Sequence, residues 1–292
     1  MQGPAAAAMI VVEQFEVTRS PVSALELLLE IAYSQSWLVD LSDAEATEKC
    51  TNWAPRFLDR LRREYNTRIQ DGRPTRFEFN SSSEMHVQGA CFPEPSDSPE
   101  LKAAKVRRAS GGAYLELLRS VTPREFEGVC RGVLSLLGCE DPVLTRASND
   151  QGIDFFGTLS LEGRMIKGLG LPSVDKNFRV WLVGQAKQYS AAVSTPELRE
   201  LAGAVALARA STFADDGSAL TRLDVRVFDP VFYLFLAAGP LSADSRRLAS
   251  RSGIIALDGE SVATLLADSG VGVVEGEYDS NEAMRWIGAQ LS

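Results

Sequence analysis

Phe178-Arg179-Val180-Trp181-Leu182-Val183-Gly184-Gln185-Ala186-Lys187-Gln188 alternates with a period of two. Val180, Leu182 and Ala186 fall on one parity, and Trp181, Val183, Gln185 and Lys187 on the other. That pattern predicts a strand with both faces in use. Upstream, Thr122-Pro123-Arg124-Glu125 reads as a helix start, with a threonine cap, a proline at the first helical position and an acid in the first turn. Phe126, Val129, Val133, Leu134 and Leu137 form its apolar face, and Gly138 is placed to stop it. Pro142–Thr145 and Ile153–Leu161 read as strands. Downstream come an alanine-rich helix over Pro196–Ala210 and a nearly continuous apolar strand over Val231–Ala238, its composition predicting burial on both faces. A helix over Ser242–Ser252, a strand over Gly253–Leu257 and a helix over Glu260–Ala267 complete the order. The succession α-β-β-β-α-β-α-β-α predicts a three-layer α/β domain with a mixed central sheet.

The residues before it read differently. Residues 1–92 form a mainly helical α+β pattern, with one helix expected to begin near Pro21 and another over Thr51–Ile69. In the second, Trp53, Phe57, Leu61 and Tyr65 recur every four residues, while Arg56, Arg60, Arg63 and Arg68 take much of the remaining circumference. This is either a solvated basic face or a surface for phosphates or a partner. Thr75–Phe79 is a short strand or wing. Phe92-Pro93-Glu94-Pro95-Ser96-Asp97-Ser98-Pro99 has linker composition, and Ser110-Gly111-Gly112 is a second break. The expected division is 1–105, a domain binding DNA, a partner or a ligand, and 106–292, the α/β domain with an acidic tail.

Composition narrows the chemistry. The chain has 292 residues, 45% hydrophobic and 24% charged, within the ordinary globular range. No apolar run approaches the ~20 residues of a membrane span. Ala5–Val12 is apolar but short and preceded by no basic residue, so a cytoplasmic protein is expected. Cys50, Cys91, Cys130 and Cys139 lack C-x-x-C spacing and are expected as buried free thiols. One histidine, His86, excludes multi-histidine zinc sites and most histidine-dependent hydrolases, and its polar surroundings predict an exposed loop. The net charge of −9 argues against general affinity for nucleic acid. Its distribution qualifies that: Arg56 to Arg76 holds seven arginines against three acids, and residues 121–257 balance 15 basic against 15 acidic groups.

Chemistry must then rest on carboxylates, amides, lysines and a hard metal ion. Period two sets Gln185 and Lys187 on one face. If the strands that bear them are neighbours, Asp154, in Asn149-Asp150-Gln151-Gly152-Ile153-Asp154, meets that pair at one end of the sheet. An aspartate with an amide or main-chain oxygen, here Gln185 or Ala186, suits Mg²⁺. Lys187 beside them can orient a water and stabilise charge on a phosphoryl oxygen. Glu127 is the natural fourth member, as metal ligand or water positioner. An ion pair of Asp154 with Lys187 capping two strands is the plainer alternative. Lys167-Gly168-Leu169-Gly170-Leu171 lacks the strand–glycine–helix setting of a nucleotide cradle and reads as a hairpin loop.

Thr122-Pro123-Arg124-Glu125-Phe126-Glu127, Gly138-Cys139, Asp150-Gln151-Gly152-Ile153-Asp154 and Gln185-Ala186-Lys187-Gln188-Tyr189, in this order, resemble the Mrr-type branch of the PD-(D/E)xK restriction-endonuclease-like superfamily. A looser echo is Ile254-Ile255-Ala256-Leu257-Asp258-Gly259-Glu260. The resemblance covers about Val121–Asp268. It implies a restriction-endonuclease-like fold and Mg²⁺-dependent hydrolysis of DNA phosphodiesters, with Mn²⁺ as a substitute, in restriction or antiviral defence. Asp154 and Gln185 would help hold the metal, Lys187 would be catalytic and Glu127 would support the site. Cutting both strands implies a homodimer or higher assembly. Leu236-Ala237-Ala238-Gly239 departs from the family, which commonly has hydroxyl residues there, and residues 211–230, with Asp215-Asp216, and the loop Glu162–Lys176 read as extensions. The acidic tail and the altered Ala237-Ala238-Gly239 segment keep open an inactive nuclease-like subunit that binds DNA or assembles, and a repair or junction-resolving nuclease on the same fold is a further alternative.

Overall fold

A computed structural model describes residues 2–145, 152–160, 179–189, 191–209 and 222–291. The motif residues Asn149, Asp150 and Gln151, the loop Glu162–Lys176 with Lys167–Leu171, and Asp215-Asp216 lie outside them. The chain divides into two compact units, Met1–Ser110 and Gly111–Ser292.

The first unit contains α1 (Pro4–Gln14), β1 (Val22–Ser23), α2 (Ala24–Ser34), α3 (Asp43–Gln70), β2 (Phe77–Asn80), β3 (Ser83–Gly89) and α4 (Pro99–Ala109). Its strands form an antiparallel sheet in the order β1-β3-β2. The core joins Ala7, Ala8, Val11 and Val12 of α1 to Leu27, Leu28 and Ile31 of α2, Phe57, Leu58 and Leu61 of α3, and Phe77 and Val87 of the sheet. The helix expected at Pro21 begins at Ala24, because Val22 pairs with Val87 and Ser23 forms a capping box with Glu26. The helix expected from Thr51 begins at Asp43, where Ser42 and Glu45 form a second capping box.

Two expectations for this unit are corrected. His86 is not in an exposed loop: it lies on β3 opposite Ser23, half-buried, with Nδ1 3.0 Å from Ser83 Oγ. Residue 105, the expected boundary, lies inside α4, and the division falls between Ser110 and Gly111. Lys105 explains why α4 stays with the first unit, since its buried ammonium pairs with Asp97 at 3.0 Å and Glu78 at 3.4 Å. The proline-rich stretch before α4 is likewise built in, with buried Glu94 accepting from Gln88 Nε2 at 2.6 Å.

The second unit contains α5 (Gly111–Ser120), α6 (Pro123–Leu136), β4 (Glu140–Leu144), β5 (Phe155–Ser160), β6 (Arg179–Lys187), α7 (Thr195–Arg209), β7 (Val231–Ala237), α8 (Ala243–Ser252), β8 (Ile255–Leu257), α9 (Gly259–Asp268), β9 (Val273–Val274), β10 (Glu277–Tyr278) and α10 (Ser280–Ala289). The central sheet runs β4-β5-β6-β7-β8, antiparallel from β4 to β6 and parallel from β6 to β8. Its two faces carry separate cores, as the period-two reading of β6 requires. Leu182, Leu234, Leu236 and Phe155 pack with α5, α6, α9 and α10, while Trp181, Val183, Phe235 and Phe156 pack with α7 and α8. The result is the mixed-sheet, three-layer α/β architecture.

Three details differ. β7 is buried on both faces over Leu234–Ala237, but Phe232, nearer its start, is half exposed. Leu137 is exposed rather than part of the α6 face, since α6 has ended by then and Gly138 takes a left-handed φ of 90°. The acidic C-terminal segment is folded: β9 pairs with β10, and α10 buries Ala283 and Ile287 in the core that α6 shares.

Candidate active site

Three pieces of chain meet at the end of β6. The first is the start of α6, fixed by the Thr122 capping box with Glu125. One turn on, Glu127 Oε2 pairs with Arg124 at 2.5 Å. The second is the junction of β4 and β5. Thr145 is buried there, its amide donating to Asp154 O at 2.9 Å and its hydroxyl lying 2.7 Å from Ile153 O and 3.1 Å from Asp154 O. These bonds hold the main chain of Asp154, whose own amide donates to Gly184 O at 2.9 Å.

The third piece is β6. Its antiparallel register sets Phe155 opposite Gly184, which brings Asp154 beside Gln185. Asp154 is 7% exposed, and its Oδ2 accepts from the Ala186 amide at 2.6 Å. Gln185 is 2% exposed. In the amide orientation that satisfies both ends, its oxygen accepts from Lys187 Nζ at 3.2 Å and its nitrogen donates to Glu197 O of α7 at 3.3 Å. Lys187 O accepts from Ala238 N at 3.0 Å, extending the pairing with β7. Gly184 makes the crossing possible. A Cβ there would lie 2.2 Å from Phe155 Cζ and 2.8 Å from Leu234 O.

Cys130 of α6 sits against this junction, fully buried. Burial first, then the nearby negative charges of Asp154 and Glu127, push its thiol well above its usual range. The two carboxylates therefore act on one small region, Asp154 from the sheet and Glu127 from α6. Arg124 lies between them in the bonding, because its Nη1 also donates to Thr145 O at 2.9 Å. Arg124 and Thr145 escaped the sequence reading, although the i,i+3 spacing of Arg124 and Glu127 was available to it.

The expected residues thus fall into two groups. Asp154 is hydrogen-bonded directly to the main chain of Ala186, and Gln185 to Lys187 on the same strand. Glu127 reaches them through Arg124 and Thr145. Among the described residues, no group of three or more His, Cys, Asp or Glu side chains is arranged to hold a metal ion. A cation at this place needs amide, main-chain and water oxygens beside Asp154. That is an all-oxygen donor set, suited to a hard divalent ion.

Residues 118–214 match the family described as Restriction endonuclease, the Mrr catalytic domain. No curated protein matches the chain. Among solved structures, it is similar to the MspJI restriction endonuclease in complex with a 27-mer oligonucleotide, at 15% identity over 66% of this chain and 39% of that one, with a TM-score of 0.38. It is also similar to the DNA modification-dependent restriction endonuclease AspBHI, at 16% identity over 78% of this chain and 47% of that one, with a TM-score of 0.37. The chain spans less than half the length of either. The stretch that supplies Glu127, Asp154, Gln185 and Lys187 is thus the part of the chain that is similar to the Mrr-type restriction-endonuclease domain.

Proposed function

We propose that the protein is a Mg²⁺-dependent DNA endonuclease that hydrolyses phosphodiester bonds in restriction or antiviral defence, with Mn²⁺ as a substitute ion. The observation that carries this reading is the bond from the Ala186 amide to Asp154 Oδ2, which holds a buried carboxylate against the main chain of the central residue of a Gln-x-Lys sequence. Asp154, the Gln185 amide oxygen and the Ala186 carbonyl would hold the cation, with Glu127 as the supporting carboxylate. When bound, the ion supplies positive charge for activating water and for offsetting charge on the scissile phosphate.

The chain's own residues do the rest. Gln185 holds the Lys187 ammonium at 3.2 Å, so that this charge is placed before substrate arrives. Lys187 orients the attacking water and stabilises the developing phosphoryl oxyanion. A neutral glutamine where an acid would add a second negative charge leaves more of the cation's charge for phosphate. The protein works in the cytoplasm as a homodimer or larger assembly, each copy cutting one strand. The first unit contributes binding of DNA, a partner or a ligand. No helix among the described residues is long and apolar enough to cross a membrane.

The basic band of α3 supports only a limited role in DNA binding. Arg60 pairs with Glu64, Arg63 with Asp59 and Arg62 with Glu84, which reduces the charge on offer to phosphate. A second reading, a nuclease-like subunit without cleavage, draws on Ala237 and Ala238, which are buried and bring no hydroxyl to the end of β7. Supercoiled plasmid separates the two. Nicking and linearisation with Mg²⁺, abolished by a chelator, are expected. DNA binding with no cleavage under Mg²⁺ or Mn²⁺ favours the second reading.

A further inference from the structure

We propose that Arg124 is a DNA-phosphate contact of this site and that Glu127 is the positioning residue that aims it. The inference rests on the nuclease reading above and deepens it. Both bonds of the Arg124 guanidinium leave from one nitrogen, Nη1: to Glu127 Oε2 at 2.5 Å and to Thr145 O at 2.9 Å. A guanidinium has five N–H donors, and Nη1 accounts for two. The Nε–Nη2 edge has no partner among the described residues, and the side chain is 43% exposed. That edge is the fork that takes two oxygens of a phosphate at once.

The anchoring is one-sided in the way such a contact requires. Glu127 is the more buried partner at 17% exposed, and Thr145 is buried. Thr145 in turn bonds to the main chain of Asp154, so the guanidinium is tied to the strand that bears the central carboxylate. A cation in the first turn of a helix opposes the helix dipole. An exposed i,i+3 ion pair offers little stability in exchange. A solvent-facing donor fork beside a phosphodiester-cleaving site accounts for the arrangement. The occupant is a backbone phosphate of the DNA strand lying over Asp154 and Lys187.

The test uses the full chain, a labelled DNA duplex and Ca²⁺ in place of Mg²⁺, so that binding is read without cleavage. Arg124→Met is expected to weaken DNA binding about tenfold and to lower the slope of log affinity against log salt by about one. Glu127→Gln should weaken binding about threefold through loss of aim. Arg124→Lys should keep the salt slope and lose affinity, because an ammonium cannot replace the fork. Calorimetric Ca²⁺ affinity should not fall in Arg124→Met, which removes a positive charge and no oxygen donor. Unchanged affinity and slope in Arg124→Met overturn the proposal. So does a Glu127→Gln variant that loses Ca²⁺ affinity but not DNA affinity, since Glu127 would then be a metal ligand. If Arg124→Met does not fold, Arg124→Lys decides: wild-type DNA affinity in that variant overturns the proposal. Wild-type protein that binds no duplex under these conditions sinks the nuclease reading itself.

Discussion

The carboxylate of Asp154 accepts a hydrogen bond from the main-chain amide of Ala186, across the β5–β6 pair, at 2.6 Å. Side chains flanking Ala186 on its strand are those of Gln185 and Lys187, so one bond fixes the aspartate relative to both. Rotamer freedom is removed before any ligand arrives, which is what a preorganised charged site needs. Because a main-chain donor makes the bond, no substitution on β6 other than proline at Ala186 removes that donor.

Thr145 supports this arrangement from behind. Its buried hydroxyl serves Ile153 O and Asp154 O, and valine would keep the shape and remove the donor. Thr145→Val should cost about 1–3 kcal/mol of stability, the penalty for buried carbonyls that lose a partner. Urea unfolding measures that cost. Cleavage should fall as well, since the main chain of Asp154 loses one of its fixings.

Gly184 is the tightest point beneath the site. With a Cβ built 2.2 Å from the Phe155 ring and 2.8 Å from Leu234 O, Gly184→Ala forces the ring to move and strains the β6–β7 pair. A loss of about 1–3 kcal/mol is expected from overpacking. The displaced Phe155 adjoins Asp154, so the cleavage rate should drop while the variant still folds. Thermal melting and a cleavage assay on one preparation check both parts.

Asp258 contributes to the acid sensitivity of this unit. Burial works to raise its carboxyl, but hydrogen bonds from Arg246 and Ser261 outweigh burial and hold it below the ordinary 3.8. Arg246 Nη2 lies 2.7 Å from Asp258 Oδ2, and the same carboxylate caps α9. A depressed folded value stabilises the protein above the unfolded value, and that contribution disappears as pH falls through the folded one. Asp258→Asn should lose about 3 kcal/mol at pH 7, because Arg246 keeps its charge without its partner. Between pH 5 and 2, urea midpoints of the wild type should fall more steeply than those of the variant.

Much of the second unit could be read from sequence because its signals are local. The Thr122–Glu125 capping box, the alternation over Arg179–Lys187 and the alanine-rich stretch before Arg209 each specify an element without tertiary help. Gln185 and Lys187 were legible as same-face neighbours for the same reason, since the period of a strand fixes which side chains share a face, whereas Asp154 comes beside them only through the β5–β6 register. What failed were features settled by pairing. Val22 enters a sheet because Val87 lies opposite, and His86 is carried on a strand by the same pairing, which no local window contains. Lys105 looked like part of a boundary until Asp97 and Glu78 gave its charge a buried place. Arg124 was missed because its second partner, the Thr145 carbonyl, lies 21 residues away and is a main-chain atom.

Comparative cleavage of a supercoiled plasmid with Mg²⁺ by wild type, Asp154→Ala, Lys187→Ala and the double variant tests the central claim most directly. If these residues form one hydrolytic centre, each single substitution abolishes most of the rate and the double variant is scarcely worse than either, as residues acting as a unit behave. Wild-type rates in both single variants, on protein shown to be folded, would contradict the account.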